Sequence, residues 1–354
     1  MAAGQIGFIE DRLIHCETLC IKLCGCLSAS RAWDKSEGHL SYAQRCLSLW
    51  PVPRGRGILY LMSYEPYEAL IARARPKASL LRLMLGIMVT TLLYSLFLGL
   101  VWKGLISIMG QAWCEQTMQM PGPSSPSQMF VLLGSFGFMT AAVSFTVWSL
   151  HNYNPVLLIG DFARAKGQFL RSLGGLLALA TAVAAIANYG ITLLPNLPLS
   201  QWLSLLPLSL VFLLVQVSAE ELVFRGYLQS QLAALGLHRL IWIVIPSAIF
   251  GLLHYDPAVV GAAAPWIALS TTLFGMCAGD LTARSGTLGP AIALHFVWNF
   301  YAIILFGFPD YLGGLALFTY DFSIMDEEKL ISLVPYDAAF LLLAYLTVRF
   351  TLRR

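Results

Sequence analysis

The sequence predicts an all-α, polytopic membrane protein, built as one bundle of about eight transmembrane helices. Apolar residues make up 58% of its 354 residues and charged residues only 12%, against ~45–50% and ~25% in a typical soluble domain. The apolar residues also gather into runs of about 20, the length of one helical crossing of a bilayer. This composition excludes an ordinary soluble enzyme and a disordered chain. A net charge of +3 is too small for a nucleic-acid-binding surface.

Eight apolar stretches follow one another along the chain. Each is rich in Leu, Ala, Val, Ile and Phe, and a helix is the expected state because it pairs every backbone polar group within its own segment. The fifth stretch is short and contains Pro246, so we expect it to be kinked or to span only part of the bilayer. The stretches are 83–102, 129–150, 173–194, 203–224, 240–254, 265–282, 288–308 and 333–350.

The connections between these stretches alternate in their content of Lys and Arg. Four basic residues precede the first stretch, and further ones follow the second, fourth and sixth, whereas the connections in between carry few or none. Basic connections of a membrane protein face the cytoplasm. The alternation therefore predicts that both termini are cytoplasmic.

The N-terminal residues 1–78 differ from the bundle, which we assign to residues 79–354. They hold five of the seven cysteines and no apolar run long enough for a signal peptide. Their cysteine spacing fits no familiar zinc site, so we expect reduced cytosolic thiols. We interpret 1–78 as a cytoplasmic segment that is disordered or partly untranslated, with Met62 as an alternative start.

Ionisable groups within the apolar stretches are few, and each is a candidate for function because charge is costly in hydrocarbon. The adjacent carboxylates Glu220 and Glu221 end the fourth stretch, in the sequence EELVFR. Glu221 and Arg225 are four residues apart, share a helix face and are expected to form an ion pair. Glu220 points about 100° away and remains available as a general base. The alternative is an ion-pair network that only fixes helix packing.

Two further polar pairs lie on other helices. In FGLLH, Phe250 lies one turn before His254 and could line a pocket. The alternative is that His254 only forms a hydrogen bond with a neighbouring residue. In HFVWN, His295 and Asn299 share a face, and both can donate to one oxygen, as an oxyanion site requires. The alternative is a polar clamp between helices. Together the three motifs predict one polar cavity for chemistry on water.

The three motifs, in this order on three separate helices, resemble the EExxxR, FxxxH and HxxxN motifs of the CPBP family of intramembrane glutamic endopeptidases. That family includes the type II CAAX prenyl endopeptidases and the lysostaphin resistance proteins. The resemblance covers residues 203–308, with no departure at the motif positions. It implies hydrolysis of a peptide bond by a glutamate-activated water, with no covalent intermediate and no required metal or cofactor.

The resemblance also implies a role for each motif residue. Glu220 would be the general base, helped by His254, and His295 and Asn299 would form the oxyanion hole. Glu221, Arg225 and Phe250 would support the site.

The expected partners are the lipid bilayer and a protein or peptide substrate, cleaved near its C-terminus or close to the membrane and either membrane-anchored or lipidated. No nucleic acid is expected, and the expected location is a bacterial plasma membrane. Three alternatives stay open: a non-catalytic scaffold or bacteriocin-immunity protein, a zinc protease with Glu220, His254 and His295 as ligands, and a transporter. A zinc site is disfavoured because the chain has no HExxH motif, and a transporter because the two halves show no repeat.

Overall fold

A computed structural model of the protein describes residues 64–118, 124–186 and 192–353. The N-terminal cysteines and Met62 lie outside these residues. The α-helices, numbered in chain order, are α1 (Glu68–Ala74), α2 (Leu80–Met109), α3 (Gln111–Met118), α4 (Pro126–Thr146), α5 (Phe162–Ile186), α6 (Leu199–Glu221), α7 (Ser230–Ala234), α8 (Arg239–Leu252), α9 (Pro257–Val260), α10 (Ala264–Ser285), α11 (Gly289–Asn299) and α12 (Glu327–Leu352).

The helices confirm the predicted fold class, an all-α polytopic membrane bundle. Within the described residues, six helical segments are long and apolar enough to cross a membrane, and α8 and the segment Gly289–Leu305 are shorter apolar helices. Leucines along α2, such as Leu81 and Leu100, face outward, as expected for a surface that contacts lipid tails. The count of about eight spans and the cytoplasmic termini remain predictions.

Polar caps extend several helices beyond their apolar stretches. α5 begins at Phe162, well before the predicted start at 173, because the side chain of Asp161 accepts a hydrogen bond from the backbone N–H of Arg164 at 2.7 Å. In the same way Asp326 caps α12. Hydropathy marks where a helix enters lipid, whereas the cap decides where it begins.

Three helices change to π-helix at their C-terminal ends. The π segments are Val147–His151 after α4, Leu222–Gln229 after α6 and Phe300–Leu305 after α11. A π segment hydrogen-bonds from residue i to i+5, is rare, and often marks a functional site. Two of the three lie at the EELVFR and HFVWN motifs.

Small residues bring the central helices close together. A Cβ at Gly275 of α10 would lie 2.8 Å from the Cβ of Ser247 on α8, and one at Gly279 would lie 2.9 Å from Oε1 of Gln229. Such close approach lets van der Waals contacts hold helices together in lipid. α10 is thereby packed against α8, which carries His254 just beyond its end.

The segment just before α2 packs onto the bundle. Tyr67 is fully buried, and its ring centroid lies 5.2 Å from that of Trp242 on α8. The hydroxyl of Tyr64 donates to Asp280 of α10 at 2.5 Å, and Tyr345 of α12 donates to the same carboxylate at 2.8 Å. Residues 64–77 thus contact α8, which carries Phe250, and its neighbour α10.

A small three-stranded sheet joins the ends of two motif helices. Its strands are β1 (Leu193–Pro195), β2 (Phe306–Gly307) and β3 (Phe318–Tyr320), in the order β1-β3-β2, with β1 antiparallel and β2 parallel to β3. β1 precedes α6 and β2 follows α11 through its π segment. β3 therefore holds the start of α6 beside the end of α11.

Candidate active site

Glu221 and Arg225 form a buried ion pair at the junction of α6 with its π segment. Arg225 Nη1 donates to Glu221 Oε1 at 2.9 Å, and the two side chains are 1% and 0% exposed. The guanidinium also lies over the ring of Phe250, 4.8 Å from its centroid. The ion pair neutralises one of the two adjacent carboxylates. The contact of the guanidinium with Phe250 attaches the end of α6 to α8.

His295 of α11 lies between the two glutamates. Its Nδ1 is 2.8 Å from Glu221 Oε1 and its Nε2 is 3.4 Å from Glu220 Oε2. Glu221 Oε1 therefore has two partners, Arg225 and His295. The Glu220 side chain is 12% exposed, compared with 0% for Glu221. Of the two carboxylates, Glu220 is the more exposed.

Asn299 lies one turn further along α11 and faces Gln216 of α6 rather than the glutamates. Its Nδ2 donates to Oε1 of Gln216 at 2.9 Å. Gln216 is buried at 6% exposure and lies one turn before Glu220. Gln216 belongs to none of the three motifs, although its spacing of four from Glu220 places it on the same helix face.

Aromatic rings enclose the carboxylates and His295. The ring of Phe250 lies edge-on to His295 at 5.9 Å and to Phe224 at 4.9 Å, and the ring of Phe274 lies 5.0 Å from His295. Phe224 and Phe274 were also missed, because apolar residues of a membrane bundle carry no signal of their own. The rings exclude bulk water and so strengthen the electrostatic interactions inside the site.

His254 lies at the edge of this group. It follows the end of α8, its side chain is exposed, and its Nδ1 lies 2.8 Å from the backbone carbonyl oxygen of Phe250. Its ring packs edge-on against Phe250 at 4.8 Å. Within the described residues, His254 forms no ion pair with either glutamate. The structure thus brings Glu220, Glu221, Arg225 and His295 together, and leaves His254 joined to them through the ring of Phe250.

A zinc site would need three donor side chains that converge on one point. Among the residues that the structure describes, no three His, Cys, Asp or Glu side chains are placed to hold a metal ion. The donor set that a zinc protease would need, Glu220, His254 and His295, is split because His254 points elsewhere.

The arrangement offers the parts of a water-activating site. Glu220 is a partly exposed carboxylate, and His295 and Asn299 carry N–H donors on the neighbouring helix. Donors held in fixed positions in a low-dielectric site stabilise developing negative charge far better than water does. The cluster is thus suited to proton abstraction by Glu220 and to stabilisation of an oxyanion.

Residues 201–301 match the family described as Type II CAAX prenyl endopeptidase Rce1-like. The matched segment contains all three motifs, and it confirms the resemblance to the CPBP family over these residues.

One relative is the uncharacterized protein YyaK of Bacillus subtilis (strain 168), which is 29% identical over 122 residues. The alignment covers 34% of this chain and 41% of YyaK, so this chain matches less than half of that relative. No solved structure matches the chain significantly.

Proposed function

We propose that the protein, with its Rce1-like segment at 201–301, is an intramembrane endopeptidase that cleaves a peptide bond by direct attack of water. The observation that carries this proposal is the position of Glu220. It is the more accessible of two adjacent carboxylates, it lies 3.4 Å from His295, and it is enclosed by apolar helices. A carboxylate so placed lowers the stability of a membrane protein, so its presence marks a functional site.

In the proposed reaction, Glu220 removes a proton from water and the oxygen attacks the carbonyl carbon of the substrate. The resulting oxyanion accepts hydrogen bonds from His295 and Asn299. The proton then passes to the departing amine nitrogen as the C–N bond breaks. Glu221 and Arg225 hold His295 in place. His254 moves toward the site and then assists Glu220.

The substrate we propose is a membrane-anchored or lipidated protein or peptide, cut near its C-terminus or close to the membrane. The name of the matched family supports a lipidated C-terminal peptide. We place the protein in a bacterial plasma membrane, which the Bacillus relative supports.

The test compares the wild-type protein with Glu220→Gln in the membranes of an expressing cell. New protein termini are quantified by mass spectrometry, and purified protein in proteoliposomes is assayed on an internally quenched, farnesylated CAAX peptide. Loss of the general base is expected to lower turnover by at least 10²-fold. Glu115→Gln, at an exposed position of α3, is the matched control and is expected to retain full activity. Equal cleavage by wild type and Glu220→Gln, or none by wild type, would overturn the proposal and favour a non-catalytic role.

A further inference from the structure

Two polar contacts join α6 and α11 one helical turn apart. In the first, His295 faces Glu220 and Glu221. In the second, Asn299 donates to Gln216 at 2.9 Å. Residue numbers rise along α6 as they fall along α11, so the helices are antiparallel and the two contacts lie about 6 Å apart along the axes. Gln216 has no role in the reaction proposed above.

We propose that Gln216 is a positioning residue that orients the carboxamide of Asn299. This inference rests on the proposed function. By accepting a hydrogen bond from one N–H of Nδ2, Gln216 keeps the nitrogen side of the Asn299 carboxamide toward α6. The second N–H of the same nitrogen is then presented to the oxyanion of the reaction.

The orientation matters because a carboxamide has a donor end and an acceptor end of nearly the same shape. Rotation of the Asn299 carboxamide by 180° would place its carbonyl oxygen where its nitrogen lies. The stabilising contact with the oxyanion would then become a repulsive one. Gln216 is 6% exposed, so bulk water competes weakly for its oxygen. A hydrogen bond in such surroundings favours one orientation by about tenfold.

If Gln216 only packs between the helices, its replacement is expected to have a different effect than if it positions Asn299. Methionine has nearly the length and volume of glutamine but lacks a strong acceptor. If Gln216 only fills space between α6 and α11, Gln216→Met should be tolerated. If it orients Asn299, Gln216→Met should lower kcat even though the protein folds.

The experiment measures kcat and KM of full-length protein in proteoliposomes with the quenched, farnesylated CAAX peptide. Without the acceptor the two orientations become about equally populated, so Gln216→Met is expected to lower kcat about twofold with KM unchanged. Asn299→Ala, which removes the donor itself, is expected to lower kcat about 10²–10³-fold. In the Asn299→Ala background, Gln216→Met should add no further loss, because the two residues act through one group.

Ser209→Ala is the matched control. Ser209 is a buried polar residue of α6 whose hydroxyl donates to the backbone oxygen of Leu205 at 3.0 Å, so its loss should leave kcat unchanged. Wild-type kcat in Gln216→Met, or a further twofold loss on top of Asn299→Ala, would overturn the positioning role. Equal turnover by wild type and Glu220→Gln, or no cleavage by wild type, would instead show that the proposed function has failed.

Discussion

Replacement of Arg225 by methionine should destabilise the bundle strongly. The change removes the guanidinium that lies 2.9 Å from Glu221, a carboxylate with 0% exposure. Breaking a buried ion pair from one side costs about 3–5 kcal/mol, since the remaining charge is left in a low dielectric. His295 still contacts the same oxygen at 2.8 Å. We therefore expect a loss of about 3 kcal/mol in the free energy of unfolding.

The measurement is equilibrium unfolding of the purified protein in mixed detergent micelles, followed by tryptophan fluorescence as the fraction of SDS rises. Arg75→Met is the control, because the ion pair of Arg75 with Glu68 is about half exposed and such pairs contribute about 0.2–1 kcal/mol. The double variant Glu221→Gln/Arg225→Met removes both charges and should be more stable than Arg225→Met alone. If Arg225→Met loses no more stability than Arg75→Met, or if the losses in the double variant are strictly additive, the buried ion pair does not hold the bundle together as described.

Two further predictions concern parts of the bundle outside the candidate site. Gly86→Ala should destabilise the protein by about 1–3 kcal/mol, since its Cβ would meet the hydroxyl of Tyr227. Gly99→Ala on the same helix has open space around it and should leave the stability unchanged. Equal unfolding curves for the two variants would contradict this prediction. Burial raises the pKa of Tyr153 to about 12 from its usual 10, so the stability linked to this hydroxyl is complete below pH 10 and is lost as the pH rises to 12. Tyr153→Phe should therefore flatten the alkaline fall in unfolding midpoint, and an unchanged pH dependence would show that Tyr153 does not cause it.

The fold class could be predicted because the bilayer restricts the sequence so strongly. A membrane-spanning helix needs about 20 predominantly apolar residues, and each of the eight apolar stretches overlaps a helix of the structure. Helix starts were predicted less well, since a single cap such as Asp161 outweighs hydropathy. The stretch 173–194 also ran into β1, a strand too short to leave a pattern in the sequence.

Within the candidate site, the sequence could predict only the contacts between residues of one helix. The interval of four residues predicted that Glu221 and Arg225 would pair, and the structure places them 2.9 Å apart. Contacts between helices depend on rotation and depth, which no interval within one helix encodes. For that reason the sequence predicted neither Gln216 as the partner of Asn299 nor the separation of His254 from the glutamates.

The small sheet has a consequence for how the site can move. β3 pairs with β1, just before α6, and with β2, just after the π segment of α11, so it acts as a brace across the two helices that carry Glu220, His295 and Asn299. Sliding one helix along the other by a single residue would require the braced strands to change partners. We therefore expect these three side chains to be preorganised before any substrate arrives. His254, in the turn that follows α8, lies outside the brace, so the conformational step that completes the site is expected to be its approach to Glu220.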